Sequence, residues 1–122
     1  DIKKYIQNNC FEFYQPDITK YGGITSFMAI FNKYNKNIKN ITPHYLGSGL
    51  GLFASAQLIS GVSNIPLEFD VTENEIRDKI FEKNLKIEKG KLILNQRAGI
   101  GVNFNKHFFR SNNDILRSGN KG

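Results

Sequence analysis

Three polar residues stand where this chain could carry acid–base chemistry: Asp17, His44 and Glu68. Each closes a short strand-like run: Phe13-Tyr-Gln-Pro-Asp17, Ile41-Thr-Pro-His44 and Ile65-Pro-Leu-Glu68. An imidazole titrates near neutrality and can take or return a proton at physiological pH. An aspartate beside it fixes its tautomer and raises its basicity. A lone histidine is more often structural, but His44 gains weight from its strand-end position and from Asp17 one unit earlier. Glu68 lies between apolar neighbours, so it is either a site residue or faces solvent on an edge. His107, between Lys106 and Phe108, has no such setting. No cluster of Asp, Glu and His has the spacing of a metal site.

The three residues recur at the length of one strand–helix unit, 27 residues from Asp17 to His44 and 24 from His44 to Glu68,. In parallel α/β folds the C-terminal ends of the strands share one face, and ligands bind there. The spacing therefore predicts two carboxylates and an imidazole around one cleft. Ile2, Tyr5 and Ile6 predict a helix over 1–9, and the aromatic run 10–15 a buried strand with Cys10 in the core,. Ile24, Phe27, Met28, Phe31 and Tyr34 follow a helical period,. After the strand at 41–44, Gly47, Gly49 and Gly51 either cradle an anion or permit close packing. Their spacing is not that of a dinucleotide fingerprint. A helix over 50–59 should stop at Gly61, and a strand should occupy 65–69. Thr72-Glu-Asn-Glu75 has the pattern of a capping box opening a helix to about Phe81. Residues 85–94 predict a hairpin turning at Lys89-Gly90, and 98–104 a last extended segment. Residues 111–122 are polar and predict a mobile tail after a folded unit over 1–110.

The chain has 122 residues, 39% of them hydrophobic, with 10 Phe and 5 Tyr, enough for one modest core,. No apolar run approaches the roughly 20 residues of a membrane span, and no signal-peptide pattern is present. A single cysteine excludes an internal disulfide and suits a reducing, cytoplasmic setting,. The formal charge is +6, which raises nucleic-acid binding, but the lysines are scattered among Asn and Glu as on a solvated surface,. Neither nucleic acid nor membrane is expected as a partner.

Four segments resemble the enolase superfamily, within the mandelate racemase/muconate lactonizing enzyme family. They are Gln15-Pro-Asp17-Ile-Thr-Lys20-Tyr-Gly-Gly-Ile-Thr25, Thr42-Pro-His44, Gly47-Ser-Gly-Leu-Gly-Leu-Phe-Ala-Ser55 and Pro66-Leu-Glu68-Phe-Asp70-Val-Thr-Glu-Asn74. Gly99-Ile-Gly-Val102 is similar to the family's C-terminal Gly-x-Gly segment. The resemblance implies an α/β fold: strands six to eight, plus the C-terminal extension, of a (β/α)8-type (TIM-like) barrel. A lysine stands at the place of Asp17 in muconate lactonizing enzymes, so the aspartate points to the mandelate racemase-like subgroup.

The resemblance also assigns roles. His44 would be general base or acid, Asp17 its orienting partner, Glu68 the acid that hydrogen-bonds the substrate carboxylate, and Lys20 a further substrate-binding group. The implied reaction removes the proton next to a carboxylate, in a dehydratase or racemase/epimerase acting on hydroxy-carboxylates such as acid sugars. Family members stabilise the resulting enediolate with Mg2+. The Mg2+ ligands and the capping domain belong to parts of the family fold that precede these residues. The remaining barrel strands are thus expected partners, and a complete enzyme is expected to be a homo-oligomer. Alone, the 122 residues are expected to be inactive. The alternative is a non-catalytic remnant or interaction module that keeps the barrel signature.

Overall fold

The structure, a computed structural model, describes residues 2–8, 10–34, 40–62, 65–83 and 85–111. In chain order the elements are α1 (Ile2–Gln7), β1 (Phe13–Tyr14), α2 (Gly23–Tyr34), β2 (Asn40–Ile41), α3 (Gly49–Ser60), α4 (Glu75–Asp78), β3 (Ile87–Glu88), β4 (Lys91–Leu92) and α5 (Lys106–Ser111). The tail expected over 111–122 lies, apart from Ser111, outside the described residues.

Parallel strands need a crossover, and α2 supplies it. Its apolar period buries Phe27 and Ile30. It links β1 to β2, which pair in parallel with Phe13 opposite Asn40 and Tyr14 opposite Ile41. The pairing continues past the strands: Thr42 N donates to Tyr14 O at 3.0 Å and His44 N to Pro16 O at 3.3 Å. His44 is thereby set beside the end of the neighbouring run.

α3 is apolar around most of its circumference, the pattern of a helix enclosed on all sides. Leu58 joins a core with Ile6, Ile18, Phe27 and Ile41. Phe53 joins a second core with Ile80 and Phe81, and meets Phe81 edge-on with ring centroids 5.2 Å apart. Gly49, the first residue of α3, allows the closest approach. A Cβ there would sit 2.6 Å from the main-chain oxygen of Arg77. No described helix is long and apolar enough to cross a membrane.

The hairpin forms as expected, β3 against β4 with Ile87 opposite Leu92. Its turn places Lys89 and Gly90 at φ 50° and 73°, the left-handed pair that matches strand twist,. Four expectations are corrected. Residues 65–69 join no ladder among the described residues. Pro66 has no donor, and the Tyr45 N–H goes to the Glu68 side chain instead of a main-chain carbonyl. The run 10–15 is mostly exposed rather than a buried strand, and Cys10 lies outside the core, because pairing starts only at Phe13 and the Cys10 amide closes α1 onto Tyr5 O at 3.1 Å. The helix after the third run starts later, since Thr72 bonds to Asp70 through both N and Oγ1. Asn74 takes the cap by accepting from Arg77 N at 3.0 Å. Over 98–104, left-handed Gly99 and Gly101 break the extended run, and only Phe104 bridges, to Phe81.

Candidate active site

His44 follows a buried Thr42 and Pro43 and is held through its own amide at the end of β2. Its ring is 38% exposed. Nδ1 lies 2.7 Å from Oε2 of Glu68, whose side chain is 36% exposed. The same oxygen accepts the Tyr45 N–H at 3.0 Å and the Gln15 Nε2 amide at 3.4 Å. Oε2 already accepts from a main-chain donor and acts as an acceptor toward the ring as well, which places the shared proton on Nδ1,. Nε2 then keeps its lone pair and is the ring atom free to act as a base.

Asp17 lies in the neighbouring turn but its carboxylate is engaged there. Oδ1 accepts from Thr19 N at 2.8 Å and Thr19 Oγ1 at 2.6 Å. Oδ2 is enclosed and has no hydrogen bond of good geometry; the Lys20 ammonium 3.0 Å away balances its charge. Burial pushes the Asp17 carboxyl up, but the bonds from Thr19 and Lys20 outweigh it and hold it below the ordinary value,. The structure therefore brings His44 and Glu68 together, and no hydrogen bond or ion pair joins Asp17 to His44. Lys20, 69% exposed, stays at the rim with Asp17.

Gln15 and the Tyr45 amide are the site groups that residue types did not single out. Alternation was the available signal, because positions 15 and 17 share one face of an extended run. Burial pushes the Tyr45 phenol up to about 12. It is a donor near neutrality, to Gly47 O at 2.6 Å and Ser48 O at 2.9 Å, and no proton shuttle. Behind Glu68, Leu67 and Phe69 line an open apolar pocket of about 570 Å³ between α3 and the hairpin. This pocket does not include His44 or Glu68.

Among the described residues no three His, Cys, Asp or Glu side chains gather as a metal site. These residues do not fit a resident metal ion by themselves, so its ligands would have to come from elsewhere.

Comparison with known proteins adds the family. The chain is 26% identical over 101 residues to an arabinonate dehydratase of Saccharolobus solfataricus, covering 83% of this chain and 27% of that enzyme. It is 25% identical over 101 residues to a D-galactarolactone cycloisomerase of Agrobacterium fabrum, covering 75% of this chain and 27% of that enzyme. The chain thus spans 27% of the length of each of these curated relatives. The fold matches the crystal structure of the 3,6-anhydro-D-galactonate cycloisomerase from Zobellia galactanivorans with a TM-score of 0.78 and 26% identity, over 89% of this chain and 31% of that one. The α/β arrangement is accordingly that of the C-terminal, partial (β/α) barrel region. The family model for enolase C-terminal domain-like proteins matches residues 1–108, and the chain belongs to that family, within the mandelate racemase/muconate lactonizing enzyme group of the enolase superfamily.

Proposed function

We propose that these residues supply the base-bearing part of an enolase-superfamily enzyme that removes the proton next to the carboxylate of a hydroxy acid. The observation that carries this is the contact of His44 Nδ1 with Glu68 Oε2 at 2.7 Å. It holds the ring in the tautomer whose Nε2 can accept a proton. His44 takes the proton and, in a dehydratase, returns it to the departing hydroxyl. Glu68, fixed on Oε2 by His44 and Tyr45, has its other oxygen free to carry the proton of a hydrogen bond to the substrate carboxylate,. Lys20, at the rim, offers a cation to that carboxylate, and Asp17 sets the turn and the negative charge beside the histidine.

Acid sugars are the favoured substrates, supported by the sugar-acid names of the similar enzymes. A dehydratase or a racemase/epimerase is the favoured outcome. Mg2+ is associated with the family, and its ligands would come from barrel strands outside these residues. The exposed single cysteine suits a reducing cytoplasm,.

The test is deuterium uptake at the α-carbon of a panel of acid sugars in heavy water with Mg2+. The chain joined to its upstream barrel should exchange, and the 122 residues alone should not. His44→Asn should lower exchange by about 10²–10⁴-fold. Undiminished exchange in His44→Asn removes His44 from the base role, and exchange by the 122 residues alone removes the need for the rest of the barrel. The alternative is a non-catalytic remnant or interaction module that keeps the barrel signature. It predicts no exchange in either form.

A further inference from the structure

Glu68 sits on a run that joins no ladder among the described residues, yet its carboxylate is held to a single neighbour geometry. Side chains do the holding. At one end the buried Thr42 hydroxyl donates to Pro66 O. At the other end Arg77, only 6% exposed, donates from Nη1 to Asp70 O. Its guanidinium also lies over the Phe69 ring at 5.1 Å.

The cation is not left unbalanced. Nε and Nη2 grip the Asp78 carboxylate at 2.6 Å and 2.8 Å, a bidentate fork that leaves Nη1 for the Asp70 carbonyl,. A lysine cannot make both contacts from one planar group.

The contacts also close a circuit. Tyr45 N holds Glu68, Tyr45 Oη donates to Gly47 O, and Asn74 Nδ2 donates to the same carbonyl at 3.0 Å. Asn74 Oδ1 then accepts from Arg77 N, and Arg77 returns to Asp70, two residues from Glu68. The backbone after the carboxylate is tied into one ring of bonds, and Thr42 separately holds the backbone before it.

We propose that Arg77 is a positioning residue for the His44–Glu68 pair, acting through Asp70 and Phe69 to hold Glu68 against His44 Nδ1. The proposal rests on the assignment of that pair as the site, but its readout needs no turnover. Selective histidine ¹⁵N labelling reports which ring nitrogen carries the proton when the ring is neutral. The wild-type chain, isolated or joined to its upstream barrel, should show the Nδ1–H form at His44. Glu68→Gln and Arg77→Met should both lose that preference and move toward the Nε2–H form favoured by free imidazole. Arg77→Lys, which keeps the charge and loses the fork, should fall between.

Aromatic ring shifts of the Phe53–Phe81 contact verify that each variant is folded. Should Arg77→Met not fold, Arg77→Lys, which loses the fork, and Asn74→Ala, which removes both side-chain bonds of Asn74 from the circuit, carry the test. A folded Arg77→Lys or Arg77→Met that keeps the full Nδ1–H signature overturns the positioning role. A wild-type chain showing the Nε2–H form overturns the pair itself, whatever the exchange assay gives. Normal Nδ1–H behaviour with no exchange in the assembled enzyme overturns only the proposed function.

Discussion

At Asp17 two opposing effects act on one carboxyl. Enclosure raises its pKa, and the bonds from Thr19 and Lys20 lower it further than enclosure raises it. A group depressed in the folded state contributes stability that is fully present above its ordinary value of 3.8 and is lost as pH falls through the folded value,. Asp78 behaves alike because the Arg77 fork holds it down against burial. Urea unfolding across the acid range should show a shallower loss of stability in Asp17→Asn than in wild type. An unchanged acid limb would mean that the Thr19 and Lys20 contacts do not distinguish the folded chain from the unfolded one. At this scale the nearness of His44 and Glu68 was legible from their one-unit spacing, although the run that carries Glu68 joins no ladder among the described residues. The preference of Glu68 for His44 was not legible. It depends on Thr19 and Lys20 engaging Asp17 first, and on where the main-chain amide of Tyr45 points.

The contact of α4 with the first turn of α3 is set by backbone rather than by side-chain volume. Gly49→Ala illustrates the balance. Alanine gains about 1 kcal/mol of helix propensity over glycine. Its Cβ, however, would meet the Arg77 carbonyl at 2.6 Å and the Phe81 ring at 2.9 Å. The carbonyl cannot rotate away as a flexible side chain would, so overpacking should win with a net loss of about 1–3 kcal/mol. Thermal unfolding measures it, and an unchanged or raised midpoint would show that α4 can shift. Element existence was read correctly wherever periodicity was long, as in α2 and α3. It failed over 65–69, where composition favours a strand but Pro66 and the diverted Tyr45 amide deny the ladder. The cap slipped from Thr72 to Asn74 for a related reason: Asp70 competes for the threonine.

On the scale of the molecule, the parallel pair β1–β2 has no third strand on either side among the described residues. Tyr5, Phe11 and Phe13 remain about half exposed beside it. Such a surface fits a region spanning 27% of its relatives. Sequence rhythm revealed the repeating unit but not how its parts share an interior, because core membership is decided by what arrives from far along the chain. α3 contributes Leu58 to one core and Phe53 to the other. A helix common to both cannot be released by loosening either, so its amides should open only when the whole structure does. Native-state hydrogen exchange should find them the slowest in the chain, with α1 and α5 opening far more readily. Two groups of α3 amides exchanging at separate rates would instead show two independent halves meeting at a helix that belongs to neither. With α3 as a single keystone, cutting the polypeptide anywhere within 49–60 should abolish folding of both sides, whereas a cut at the Lys89-Gly90 turn should leave the parallel unit standing.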